Sequence, residues 1–273
     1  MEAKIFESLF SRVGILPAVA ARDAAILTAW ADAAVEAGVP ALELFLRGDD
    51  AERAVVGAIA SLRTTHPSLA IGAGSVYDAA TAARMIEAGA RFLVSPITDP
   101  ATGAAAAAAG IDWLPGAFTP TEIALAERAG ARYVKLFPAA AIDAPTFIRA
   151  TLAPSPASRL VPTNVALDEI PELVAAGAAG FGVGPRLLAG ADARDAGHHL
   201  AAQHDGVLLV EHARGQDAQH AREGAAVGGR LLGLLLNGVH VRRELVEQVV
   251  DDVRREDLDA HLRRQLQIGR AHV

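Results

Sequence analysis

From residue 13 to about residue 190, short apolar runs alternate with Ala-rich stretches of helical period. The apolar runs read as strands at 13–19, 41–46, around 70, around 92, and at 112–114, 133–136, 160–161 and 180–183. The stretches between them, at 23–37, 50–62, 79–88, 101–109, 121–129, 144–152 and 167–176, read as helices. Gly38, Gly89, Gly110, Gly130 and Gly177 each follow a helical stretch, where a residue at positive φ ends a helix most easily. Eight strand positions in strict alternation with helices predict a parallel sheet closed as a (β/α)8 TIM barrel. An open doubly wound sheet is the alternative, but no G-x-G-x-x-G follows the first strand, which argues against a dinucleotide-binding version. Before the first strand, Ile5, Leu9 and Phe10 give a short amphipathic helix, expected to cap the barrel floor.

Composition divides the chain. Its 273 residues are 52% hydrophobic, enough for a sizeable core, with a formal net charge of −7. The acidic balance argues against a nucleic-acid partner. No apolar run is long enough to span a membrane, and the charged opening (Glu2, Lys4, Glu7, Arg12) does not read as a signal peptide, so a cytoplasmic location is expected. There is no cysteine, hence no thiolate ligand, thiol nucleophile or disulfide. The last aromatic is Phe181, the last proline Pro185, the last serine Ser158 and the last threonine Thr163. After residue 197 the vocabulary turns to His, Gln, Arg and Val. Residues 1–200 are therefore read as the barrel and 201–273 as an atypical tail.

In a parallel barrel the active site lies where strands end and loops begin. Glu43 sits inside an apolar strand, where a charge is costly unless paired or used. Arg47, four residues on, falls on the same face of an extended strand; a structural ion pair competes with a functional role. Lys135 is the sharper candidate. It ends the strand Tyr133-Val134-Lys135-Leu136, and Lys4 is the only other lysine beside 23 arginines. An amine desolvated in a barrel mouth can be held neutral and attack a carbonyl, which a guanidinium cannot do. A solvated surface lysine is the competing reading. Gly72-Ala73-Gly74-Ser75 after the third strand permits close backbone approach to a ligand. In Thr119-Pro120-Thr121-Glu122, Thr119 reads as a helix N-cap with Glu122 completing a capping box.

In order along the chain, these residues resemble the 2-keto-3-deoxy-6-phosphogluconate (KDPG) and 4-hydroxy-2-oxoglutarate (KHG) aldolase family. The matching pieces are Glu43-x-x-x-Arg47-Gly48-Asp49, Gly72-Ala73-Gly74-Ser75-Val76, Gly89-Ala90-x-Phe92-x-Val94-Ser95-Pro96, Pro115-Gly116-x-x-Thr119-Pro120-Thr121-Glu122, Val134-Lys135-Leu136-Phe137-Pro138-Ala139 and Pro162-Thr163. The resemblance implies a class I, metal-independent aldolase without a cofactor, usually a homotrimer, acting on a small-molecule 2-keto acid. It casts Lys135 as the Schiff-base lysine and Glu43 as the general acid/base. Arg47 would hold the substrate carboxylate, with Ser75, Gly74, Pro96, Phe137, Thr163 and Gly184 lining the substrate site.

Two positions depart from the family pattern. Asn164 stands where a Gly-Gly pair usually follows Pro-Thr, and Gly184-Pro185 replaces Gly-Ser. Both fall on the loops after strands seven and eight, where barrels commonly bind phosphate. A weakened preference for phosphorylated substrates is the expectation. Other functions weighed are a keto-acid- or phosphate-binding barrel with weak or no aldolase activity, and an oligomerisation or interaction role carried by the tail. The tail's histidines (His198, His199, His204, His212, His220) lack the spacing of a metal site. The last seven residues, Gln267 to Val273, resemble a translated sequencing adapter. For the rest of the tail, frameshifted or chimeric coding sequence, poorly ordered, competes with a genuine helical extension in which 239–266 forms a charged amphipathic helix.

Overall fold

The computed structural model describes residues 5–184, apart from 13, 22, 23, 37, 49, 167 and 168. Tail features at 185–273, including Pro185, the histidines and the adapter-like end, lie outside the described residues, as does the division at residue 200.

Nine short strands alternate with helices: β1 (Ile15–Ala20), β2 (Ala41–Phe45), β3 (Ala70–Gly74), β4 (Phe92–Val94), β5 (Asp112–Leu114), β6 (Gly116–Ala117), β7 (Val134–Leu136), β8 (Leu160–Pro162) and β9 (Phe181–Val183). The helices are α1 (Ile5–Arg12), α2 (Ala24–Glu36), α3 (Ala51–Thr65), α4 (Ala79–Ala88), α5 (Pro100–Ala108), α6 (Pro120–Arg128), α7 (Ala144–Leu152) and α8 (Ile170–Ala176). A 3-10 turn, Ala139–Ala141, follows β7. All strand pairs are parallel, in the orders β5-β4-β3-β2-β1-β9 and β6-β7-β8. β5 and β6 are two halves of one strand broken at Pro115, which has no N–H to give but whose carbonyl accepts from Lys135 N at 2.8 Å. At the other seam, Thr163 bridges Gly182, and Asn164 N–H donates to the Gly182 carbonyl at 2.8 Å. Joined at both places, the eight strand positions form the ring of a TIM barrel. No helix among the described residues is long and apolar enough to cross a membrane.

Local chemistry explains the element ends. Asp78, Asp99 and Asp143 accept backbone N–H groups of α4, α5 and α7, and Thr119 with Glu122 makes the full capping box on α6. The five glycines that close helical stretches all have positive φ, from 71° at Gly110 to 101° at Gly177. Several elements differ modestly from the sequence reading: β1 begins at Ile15, β2 stops at Phe45, α3 runs on to Thr65, and α8 starts at Ile170.

Helix α1 caps the floor, as its pattern predicts. Phe6, Leu9 and Phe10 are buried, with the Phe6 ring against Phe92 and the Phe10 ring against Tyr133. Polar contacts orient it: Phe6 N–H donates to Asp112 Oδ2 at 3.0 Å, and the Glu7 carboxylate meets Arg132 at 3.0 Å and Arg159 at 2.9 Å. A small cavity of about 100 Å³ lies there, lined by Phe6, Asp112 and Tyr133, at the end of the barrel where strands begin.

Candidate active site

Side-chain alternation along β2 places Leu42 and Leu44 toward the helices and Ala41, Glu43 and Phe45 toward the barrel axis. Glu43 is thus a carboxyl group 5% exposed in the interior. Burial pushes its pKa above the ordinary 4.5, and the positive charge of Lys135 pulls the other way. Among the described residues it accepts no hydrogen bond from a protein group, so nothing but Lys135 offsets its desolvation.

The barrel makes room for that carboxylate on its neighbouring strand. Gly74, the last residue of β3, has no side chain, and a Cβ there would overlap the Glu43 carboxylate. One layer lower, Gly72 pairs with Glu43 in register and is filled by the Phe92 ring. These glycines do different work: Gly72 admits a core ring, Gly74 admits the Glu43 carboxyl.

Lys135 is the middle residue of β7, flanked in register by Gly116 and Val161. Its Nζ lies 4.9 Å from the centre of the Phe137 ring, a cation–π contact at the mouth. Gly116 is held from behind. Thr98 Oγ1 donates to its carbonyl at 3.0 Å, Gly116 N–H donates to the Ile97 carbonyl at 3.3 Å, and a Cβ at Gly116 would run into the Pro96 carbonyl.

The other sequence candidates gather at the carboxyl ends of the strands. Ser75 follows β3 with φ 61°, an unusual value for serine. Pro96 lies two residues past β4, and the buried Ser95 before it accepts from Trp113 Nε1 at 2.9 Å. Thr163 follows β8, is buried, and sets its Oγ1 3.4 Å from the Leu136 carbonyl. Gly184 follows β9. Arg47 lies two residues beyond the end of β2, so strand alternation does not govern its side chain; it is exposed, with its guanidinium carbon 5.4 Å from the Phe45 ring centre. Sequence reasoning missed Phe45. Its alternation with Glu43 was the available signal, since it marks an aromatic ring on the same face one layer nearer the mouth.

The arrangement is an amine and a buried carboxyl within one another's field in the barrel interior. An exposed arginine stands at the rim.

Known proteins resemble this chain in sequence and in fold. A family model described as KDPG and KHG aldolase matches residues 6–198. A 2-dehydro-3-deoxy-phosphogluconate aldolase of Pseudomonas aeruginosa is 35% identical over 170 residues, 62% of this chain and 76% of that protein. A probable 2-dehydro-3-deoxy-6-phosphogalactonate aldolase of Rhizobium meliloti is 34% identical over 157 residues, 57% of this chain and 72% of that protein. Among solved structures, a 4-hydroxy-2-oxoglutarate/2-dehydro-3-deoxyphosphogluconate aldolase superposes with a TM-score of 0.62 at 28% identity, covering 82% of this chain and 98% of that one.

Proposed function

The chain belongs to the KDPG and KHG aldolase family, and from that membership we propose that it cleaves 2-keto-4-hydroxy acids through a Schiff base on Lys135. The observation that carries this reading is the buried Glu43 carboxyl, its pKa raised by desolvation, in the electrostatic field of the only described lysine.

The steps follow from the groups in place. The Lys135 amine adds to C2 of the keto acid, and the carbinolamine loses water to give the iminium. Glu43 moves the protons that addition and dehydration require. It then accepts the proton of the C4 hydroxyl as the C3–C4 bond breaks. The bonding pair flows into the iminium, an aldehyde leaves, and an enamine of pyruvate remains on Lys135. Glu43 returns the proton to C3, and water hydrolyses the imine to release pyruvate and the free amine. A carboxyl whose proton affinity has been lifted toward neutrality can both take and give that proton.

Arg47 would bind the substrate carboxylate through a charge-assisted contact. Ser75, Gly74, Pro96, Phe137, Thr163 and Gly184 would line the chamber, with Phe137 covering the lysine. The enzyme so read is class I and metal-independent. A homotrimer in the cytoplasm is its proposed form.

Borohydride reduction in the presence of pyruvate tests the reading. The wild-type chain should gain one reduced pyruvate adduct, mapped to Lys135, and Lys135→Ala should gain none. A well-folded wild-type protein that forms no adduct overturns it.

A further inference from the structure

Side chains of residues paired in register on parallel strands leave the sheet on the same face. Glu43 pairs with Gly72, so a side chain on Gly72 would stand beside the Glu43 stem, on the face turned to the barrel axis. The Phe92 ring takes that place: three of its carbons would lie within 2.4 Å of a Cβ on Gly72. Phe92 is fully buried, and the Glu43 carboxylate lies one layer nearer the mouth, in the space that a Gly74 side chain would fill. The ring is therefore the layer next to the acid on its floor side.

Below Phe92 comes Phe6 of α1, edge-on to it with 5.2 Å between ring centres. Phe6 is buried, and it is also a wall of the floor cavity of about 100 Å³. Glu7, Asp112 and Arg132 line that cavity too, and the side chains of Glu7 and Arg132 are about half exposed. Water has an entrance and hydrogen-bond partners there. The order from floor to mouth is thus polar cavity, Phe6, Phe92, Glu43. Phe6 is held in place by its backbone, whose N–H donates to Asp112 Oδ2 at 3.0 Å.

We propose that Phe92, backed by Phe6, is a positioning residue that partitions the Glu43 carboxyl from the wet floor of the barrel. A carboxyl kept out of water holds its proton more tightly. Lys135 on β7 is the one described charge whose field opposes that hold. The strands paired with β2 bring Ala18 and Gly72 beside Glu43, and neither titrates. Exclusion of water therefore sets the proton affinity of the acid, and the two rings provide it from below. For its catalytic consequence the inference rests on the Schiff-base reading, in which Glu43 must both take and return a proton.

The test is a carbon-13 NMR titration of the full-length chain labelled in its glutamate carboxyls, without substrate. The Glu43 signal is the one that Glu43→Gln lacks. Phe92→Ala removes the ring, Phe92→Leu trims it, and Phe6→Ala breaches the partition from the floor. Met85→Ala is the control, a fully buried deletion on helix α4, outside the ring of strands. Phe92→Ala should lower the Glu43 midpoint toward the ordinary 4.5 by about one pH unit, a tenfold loss of proton affinity, with smaller falls in Phe92→Leu and Phe6→Ala. The limb that Glu43 imposes on kcat/KM should move down with it. Met85→Ala should lose stability in a melt and keep the wild-type midpoint. An unchanged midpoint in a folded Phe92 variant overturns the inference, as does a limb that stays behind or a Met85→Ala midpoint that falls as far. If neither Phe92 variant folds, Phe6→Ala decides by the same criterion. A wild type that forms no borohydride adduct with pyruvate strikes the Schiff-base reading alone, because the titration still reads the partition.

Discussion

The Glu43 carboxylate occupies the space that a side chain on Gly74 would fill. Acid and glycine lie on adjacent parallel strands, and the missing Cβ of one is the seat of the other. Gly74→Ala should therefore displace the carboxylate before it damages the fold. Pyruvate release is expected to fall by at least about tenfold, a change of roughly 1.4 kcal/mol in barrier. Overpacking should lower stability by about 1–3 kcal/mol. Steady-state kinetics and a denaturant melt on the same preparation check both; an active Gly74→Ala protein would remove Glu43 from its proposed role.

Glu43→Gln should reveal itself through pH. The folded chain holds the Glu43 proton above the ordinary 4.5, whereas the unfolded chain releases it near that value. The stability tied to this group is thus fully present below 4.5 and is lost as pH rises through the raised folded value. Glutamine cannot ionise and escapes that loss. The variant should gain stability relative to wild type as pH rises from below 4.5 to neutrality, measured by melts across pH. In activity, the carboxyl should impose a limb on the wild-type kcat/KM profile above the usual carboxylate range, and Glu43→Gln should lose that limb.

Gly116→Ala tests whether the strand beside Lys135 must be held in place. Its Cβ would meet the Pro96 carbonyl, a backbone atom with little freedom to move. The strand must shift, and the Lys135 backbone, which donates to the adjoining Pro115 carbonyl, should shift with it. The expected signature is slower adduct formation with pyruvate, read from the rate of borohydride trapping. Thr98→Val removes only the hydroxyl that holds the Gly116 carbonyl and should give a milder form of the same defect.

Thr119→Ala separates stability from chemistry. The hydroxyl accepts from Glu122 N–H and the Glu122 side chain accepts from Thr119 N–H. Losing that cap should cost about 1 kcal/mol. Thermal melts should show the loss while pyruvate trapping proceeds at the wild-type rate.

The alternation of elements was legible because its punctuation is local. Glycines at positive φ, the Thr119 cap and apolar runs of strand length lie within a few residues of the boundaries they set. The candidate pair, Glu43 and Lys135, was legible for a different reason, since a carboxylate and a lone lysine stand out against apolar strands. What the sequence concealed depends on contacts between distant segments. Phe6 N–H finds Asp112, and Glu7 finds Arg159, only once the ring has formed. Arg47 was read as the end of an extended strand, but β2 stops at Phe45 and the guanidinium rests against that ring.

The pairing of β1 with β9 has a consequence for biosynthesis. Ile15 pairs with Phe181 and Pro17 with Val183, so the earliest strand made waits for the last one before its edge is covered. Until then the nascent chain presents two bare parallel edges, one on β1 and one on β8. Any message or protease that stops the chain short of Val183 yields an open sheet with a template at each side. Such fragments should associate with one another through those edges, which only a chain that reaches Val183 can close on itself.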